Sequence, residues 1–565
     1  MLVAFLATFA LVAAACGSDA EPAATGDTDA PSDTVDSSGD TPDEPTATTL
    51  AQGVTPDTVA APETGPISGG TLRYAYQADP VSLDVMTSDG NPTLPRDAIF
   101  ERLYGFGADT YPVPYLAEGH EISADGLTWT ITLREGVSFH NGEIMDADDV
   151  IASWGRYQAV GARMNEFFMV DSITKSGEMS IDIATNEVHG GVVESLAAAS
   201  GAFVVMPKSV IDALPQPFEP DLAFDPAVLV GTGPYTYVEH QPERLWIFDR
   251  FADYWGGPPG VAPADGYMVS ARNAYFDRIE FHVISDPVAR VSAVVAGEID
   301  VAAPIPADQA EAVRGEDGIS ILPSVPGRRA YWKFNTTTAP FDNLDLRLAV
   351  RTGINPTELM SPFGPDGSWR VNCTPRITAE HFAWTDYCAE FYPQDIELAK
   401  QMVIDSGYDG TPVKLLASEA RAEYPMTIPM ITYLEEIGIE VEPVLVDGAT
   451  YSSMRKDPTS GWNIKHAGGQ PITSTEYLNA MGYDRTGEKW PGVSDAYYEN
   501  ISAAARVSDR DERSTLITAA YAALMDASVD LWIGDELTVA LHSDRVVGLP
   551  TDDYEFNWFN AWLSE

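Results

Sequence analysis

The sequence predicts an α/β protein of two or three domains, and three observations carry that expectation. From Pro393 onward the pattern runs helix, strand, helix, strand, the alternation that builds α/β layers. Earlier in the chain, short strands with one apolar face lead into amphipathic helices, as where "LTWTITLRE" precedes "DADDVIASWGRY". Residues 69–565 are also too many for one hydrophobic core.

The amino-terminal end is of another kind. Leu2 to Ala15 is apolar apart from Thr8, shorter than the ~20 residues that a membrane-crossing helix needs. Such a run ending in Ala13, Ala14 and Ala15 reads as the core and cleavage region of a secretory signal peptide, residues 1–16. The small triplet before Cys16 resembles the lipobox of bacterial lipoproteins, which implies diacylglycerol on the Cys16 thiol and a new amino terminus there. The alternative is an uncleaved apolar end with an incidental cysteine. Residues 17–68 hold eleven carboxylates, no Lys or Arg, and little that could form a core. Their burial cannot offset their ordering entropy, so they are expected to form a disordered acidic tether, reaching ~40 Å as a flexible coil.

Composition narrows the function. With 33 Lys+Arg against 85 Asp+Glu the net charge is −52, which argues against nucleic acid and against electrostatic adhesion to anionic lipid. Membrane attachment would have to be covalent. Beyond Cys16 the only cysteines are Cys373 and Cys388, a pair best read in an exported chain as a disulfide, with two free thiols as the alternative.

The elements follow in order. "TLRYAYQ" (71–77) reads as a strand and "RDAIFERLYGF" (96–106) as an amphipathic helix. In "LTWTITLRE", Trp129, Ile131 and Leu133 share one face and Thr128, Thr130 and Thr132 the other. "GVSFHNGE" makes a hairpin return that places His140 in a turn. A helix then starts at Asp146, with Val150, Ile151, Trp154 and Tyr157 on its buried side. Asp146, Asp148 and Asp149 are read as first-turn carboxylates favoured by the peptide dipoles and not as a metal cluster. In "GTGPYTY" (231–237) the glycines are read as allowing unusual torsions before a strand begins at Tyr235; no phosphate-loop Lys follows. "NLDLRLAVRTGI" reads as a helix from Asn343. Then come "DIELAKQMVIDS" closed by Gly407, "PVKLLAS", a helix through "MTIPMITYLEEI" ending at Gly438, "IEVEPVLV", and the strands "DLWIG" and "ELTVALHS".

Seven of these stretches, in order, resemble one known family. "PYLAEGHEISADGLTWTITLREGVSFHNGEIMDADDVIASWGRY", "GGTLRYAYQADPVSLD" before it, and then "GTGPYTY", "FADYWGG", "FDRIEFHVISDPVARVSAVVAGEIDVA", "KFNTTTAPFDNLDLRLAV" and "YPQDIELAKQMVIDSGYDG" are similar to segments of family 5 extracellular solute-binding proteins. Those are the dipeptide, oligopeptide and nickel receptors of ABC importers. The resemblance covers essentially all of residues 69–565. It implies a two-lobed periplasmic-binding-protein-like fold of class II, the large peptide-binding type, with an extra subdomain in the first lobe. The lobes would be residues 69–325, with the insertion at about 90–200, and 326–530, while 531–565 return to the first lobe. A peptide or peptide-like solute would be enclosed between them and passed to a membrane permease with its ATPase, the receptor itself working as a monomer.

The resemblance also points to contact residues. Tyr76, Gln77 and Asp79 follow the first strand, where family ligands meet lobe one; from lobe two come His466, Gly469 and Gln470, with Tyr331 and Trp332 as walls. In peptide-binding members, an Asp after the Gly-Trp pair of the segment matching "GWNIKHAGGQPITSTEYL" binds the peptide's amino group. Here Ile472 stands at about that place. An ammonium buried without a partner costs several kcal/mol, so a free-amino-terminal peptide is expected to bind poorly unless another acid substitutes. A modified peptide, a sugar or a metal complex is then the expected ligand, and a sensor or adhesin of the same fold is the other alternative. Enzyme signatures are missing: no G-x-S-x-G, H-E-x-x-H or C-x-x-C is present, and the histidines show no metal spacing. No catalytic residue, metal site or cofactor is therefore expected.

Overall fold

The computed structural model describes residues 65–79, 82–87, 94–107, 109–197, 203–219, 222, 224–257, 272–365, 367–375, 377, 381–469, 489, 491–549 and 558–564. The expected signal peptide, Cys16, most of the tether, Gln470 and Ile472 lie outside them.

One eleven-stranded sheet joins the two halves of the chain. Across it the strands run Val441–Leu445, Val413–Ala417, Ile464–Gly469, Ile319–Phe334, Asp530–Ser543, Val301–Pro306, Thr71–Tyr76, Arg278–Val283, Leu245–Arg250 and Tyr235–Gln241, with the short Trp369–Val371 off this path against Asp530–Ser543. The two central strands are 16 and 14 residues long, well beyond the usual five or six. They pair antiparallel from Ile319↔Ser543 to Lys333↔Asp530. The expected pair "DLWIG" and "ELTVALHS" is therefore a single strand; Asp535, which breaks the apolar run, is neutralised inside the structure by Arg329.

Apolar burial gathers mainly at the two ends of these crossing strands. One core collects Leu72, Tyr74, Trp246, Phe248, Ile279 and Phe281 from the outer strands, together with the carboxyl-terminal Trp558. The other collects Trp332, Phe334, Leu346, Leu415, Leu434, Ile517 and Leu531. The first lobe also carries a separate four-stranded sheet, Ala117–Ile122, Thr128–Leu133, Ser180–Thr185 and Val170–Gly177 in spatial order. There Trp129, Ile131 and Leu133 are buried, as their alternation predicts.

Local chemistry fixes the remaining elements. Asp146 caps the helix Ala147–Val160, accepting from the Asp148 and Asp149 N–H groups while the Asp149 side chain returns to the Asp146 N–H, a capping box. Asn343, Asp395 and Asp447 also cap their helices, each side chain accepting from N–H groups of the first turn. The helix expected over 96–106 is confined to Leu94–Asp97, and Tyr104–Phe106 is a strand. Tertiary bonds override its helical period: the Ala98 and Ile99 carbonyls accept from the Tyr235 and Gly233 N–H groups, and Glu101 is held by Thr232, Tyr254 and Trp255. The same contacts correct the reading of "GTGPYTY". Gly231 and Gly233 are required for space, since added Cβ atoms would stand 2.1 Å from the Ile99 carbonyl oxygen and 2.4 Å from that of Ala98. His140 is a structural residue of that turn, its Nε2 2.9 Å from the Gly233 carbonyl; burial pushes its imidazole down to about 4.

Candidate ligand site between the lobes

Strand direction places the site. In the first lobe, Thr71–Tyr76 runs parallel to both Arg278–Val283 and Val301–Pro306; in the second, Val413–Ala417 runs parallel to Val441–Leu445 and Ile464–Gly469. Open α/β sheets bind ligands beyond the carboxyl ends of such strands. Pro306 ends its strand opposite Thr538, and Gly469 ends its strand opposite Arg329, which faces Asp535. The carboxyl ends of both lobes thus converge three residues apart on one crossing strand, ~10 Å at strand rise.

Two charged clusters occupy this junction, one on each face of the sheet. Adjacent strand residues point to opposite faces. On one face Arg329 and Asp535, both without exposed side-chain surface, pair at 2.5 Å. Arg370 adds a second bond to Asp535 at 3.0 Å, and Asn372 a third at 3.1 Å. Arg329 also donates to the Thr374 and Ile377 carbonyls. This cluster is closed and structural.

The other face carries Arg328, Arg421, Glu423, His466 and Glu536. Glu423, with a side chain 1% exposed, receives Arg328 Nε, has Arg421 Nε at 3.3 Å and stands 3.7 Å from His466 Nδ1. The Ser418 N–H donates to His466 Nε2 at 3.0 Å, so the neutral ring carries its proton on Nδ1, towards Glu423. Burial would raise the Glu423 carboxyl, but His466 and the two guanidinium groups bring it down to about 2. Burial lowers the His466 imidazole and keeps it neutral. Tyr451 lies under the cluster, stacked on His466 at 4.9 Å, with Arg421 over its ring at 5.8 Å.

Gly468 makes this packing possible. A Cβ there would lie 1.8 Å from Glu423 Oε1. Gly468→Ala is expected to push Glu423 off its partners and cost about 1–3 kcal/mol, read from urea midpoints together with loss of ligand-induced stabilisation. The depressed Glu423 carboxyl gives a second prediction with a definite sign. Its stabilising contribution is complete above the unfolded value near 4.5 and is lost as pH falls towards 2. Wild type is expected to lose up to about 3 kcal/mol over that window that Glu423→Gln does not, checked by thermal unfolding at stepped pH.

The expected contact residues fare unequally. Tyr76 is half-buried at its strand's carboxyl end, Gln77 is exposed just beyond it, and Gly469 ends the strand that carries the charged cluster. Tyr331 is stacked on Trp532 at 4.4 Å. Trp332 has no exposed surface and packs in the second core. The Asp79 carboxylate accepts from Trp246 Nε1 at 2.5 Å and the Glu243 N–H at 2.7 Å, beside His240. His466 is fully buried and supports Glu423 from behind. Gln470 lies outside the described residues. Arg328, Arg421, Glu423 and Glu536 were not anticipated; Arg421 and Glu423 stand just past the strand Val413–Ala417, where a carboxyl-end search would have found them.

Comparison with known proteins agrees with this architecture. Residues 111–489, more than half of the chain, match the family model described as bacterial extracellular solute-binding proteins, family 5 middle. The chain belongs to that family. It is similar to a glutathione-binding protein of Pectobacterium atrosepticum, 25% identical over 504 residues that cover 84% of this chain and 91% of the relative. A probable peptide ABC transporter periplasmic-binding protein of Sinorhizobium fredii is likewise 25% identical, over 85% of this chain and 91% of its own. In fold it is similar to a periplasmic binding protein of Helicobacter pylori solved with the peptide STSA, with a TM-score of 0.69, 22% identity, and 88% and 99% of the two chains covered. As a family member the protein is an extracytoplasmic solute-binding protein of two α/β lobes. Among the described residues no helix is long and apolar enough to cross a membrane.

Proposed function

We propose that the protein captures a peptide or peptide-like solute between its lobes and delivers it to an ABC permease, without transforming it. The observation that carries this reading is the mixed-charge face at the lobe junction. Arg328 commits its Nε to Glu423, and among the described residues neither terminal nitrogen is hydrogen-bonded. A planar guanidinium with an open edge, backed by a fixed carboxylate, suits the bidentate geometry of a ligand carboxylate. The relatives named for glutathione and for peptides support the same class. Residues 69–325 with an insertion at about 90–200, residues 326–530, and a return over 531–565 remain the proposed division into lobes. Lipid on Cys16 would tether the monomeric receptor to the membrane, and partner ATPase subunits would power uptake.

Native mass spectrometry of the purified protein, followed by identification of any released molecule, tests the assignment. A stoichiometric peptide supports it; an oligosaccharide or metal complex would move the protein to another substrate class on the same fold. Cys373 and Cys388 are proposed to be bonded; their Cα atoms are 5.1 Å apart, within the range a disulfide spans. Thiol titration of the denatured, unreduced protein is expected to find neither sulfur free.

A further inference from the structure

The carboxylates at the lobe junction are not equivalent. Asp535 is spent on Arg329, Arg370 and Asn372, and Glu423 on Arg328, Arg421 and His466. Glu536 differs from both. It is half-buried, yet its carboxylate accepts no hydrogen bond among the described residues. Its place is the face opposite Asp535, directly across from Arg328 in the strand register and on the side where Arg328 meets Glu423. It also lies one turn of the pleat from Thr538, where the first lobe's strand ends at Pro306. Glu536 is therefore a partly exposed carboxylate beside the point where strands of both lobes end.

We propose that Glu536 is the specificity-determining carboxylate that receives the cationic, hydrogen-bond-donating group of the ligand. This rests on the solute-capture reading above and gives the site its polarity: ligand carboxylate at Arg328, ligand ammonium at Glu536. The physical ground is incomplete satisfaction. A half-buried carboxylate with free lone pairs has lost water without gaining donors, and an arriving ammonium supplies up to three. Arg328 does not supply them here: its Nε is held by Glu423, and among the described residues none of its side-chain hydrogen bonds reaches the Glu536 carboxylate. Burial pushes the Glu536 carboxyl up and the Glu423 charge adds to it, against the opposing pull of Arg328. A cation beside it reverses that balance. The expectation that unmodified peptides bind poorly is then lifted, because another acid takes the missing one's place.

The test uses three probes: trialanine, its N-acetyl form, and the non-peptide amine agmatine, each titrated calorimetrically into wild type and Glu536→Gln. The expected result is at least a tenfold weakening of trialanine by the substitution, with N-acetyl-trialanine changed less than twofold and the unliganded thermal midpoint unchanged or higher. If only agmatine binds wild type and loses affinity in Glu536→Gln, the cation site stands and the peptide reading falls. Equal weakening of trialanine and its acetylated form, with a lower unliganded midpoint, overturns the proposal, since Glu536 would then only position Arg328. Trialanine binding that Glu536→Gln leaves intact, or no binding of either amine-bearing probe to wild type, overturns it too.

Discussion

Arg329→Ala is expected to destabilise the protein by about 3–5 kcal/mol, because it removes one partner from an ion pair with no exposed side-chain surface. Among the described residues Asp535 would keep Arg370, whose side chain is 18% exposed, and Asn372. The carbonyls of Thr374 and Ile377, which now receive both Arg329 terminal nitrogens, would lose those donors. Those carbonyls lie just after Cys373, so the backbone at Thr374 and Ile377 would loosen with the pair. The direction of the effect depends on leaving a charge behind. Arg329→Met combined with Asp535→Leu fills the space with apolar atoms and is expected to recover most of the loss. Urea unfolding of the single and double variants decides it: a single variant within 1 kcal/mol of wild type would show that water reaches Asp535 and that the cluster is not the closed element its burial implies.

The same cluster shows what the sequence could and could not disclose. Elements set by local period or by caps were legible: the Trp129–Leu133 alternation, the helices begun by Asp146, Asn343 and Asp395, and the strands Val413–Ala417 and Val441–Leu445. Elements set by distant partners were not. The helix expected after Arg96 yields because Gly233 and Tyr235 take the carbonyls it would need, across more than 130 residues. Asp535 splits an apolar run in the sequence and is silent in the structure because Arg329 arrives from 206 positions away. Side-chain partners are hidden from the sequence in the same manner. Asp79 sits where a ligand carboxylate is expected, but Trp246 and His240 claim it from another strand pair. Conversely Arg328, Glu423 and Glu536 come from three separate stretches and acquire meaning only when the crossing strands bring them to one face.

Glu194→Ala is expected to weaken ligand binding although Glu194 makes no described contact with the charged junction. Glu194 and Arg513 form an ion pair at 3.0 Å with side chains 1% and 2% exposed, one from the first lobe's helix Val192–Ala197 and the other from the second lobe's helix Arg510–Ala527. Around it the same two regions meet again: Arg510 pairs with Asp109, Arg506 with Glu187 at 2.7 Å, Tyr111 packs edge-on against Phe382, and the Gly190 N–H donates to the Ala505 carbonyl. His381 lies beside Arg513, and burial first, then that charge, push it down to about 3, so it adds no second cation. If the lobes part about the crossing strands, these contacts must break while those strands stay paired, so they favour the closed form alone. Affinity depends on the closed fraction, and each 1.4 kcal/mol taken from closure is about tenfold in that equilibrium. Glu194→Ala removes a buried ionic partner of Arg513, a loss of about 3–5 kcal/mol shared between closure and folding. Gly190→Ala should act on closure by shape, since its Cβ would stand 1.9 Å from the Val507 carbonyl oxygen. Both variants are expected to bind at least tenfold more weakly and to show a larger radius of gyration by small-angle scattering without ligand. Unchanged affinity in both would mean that the two regions stay docked when the site is open, and that closure turns on other contacts.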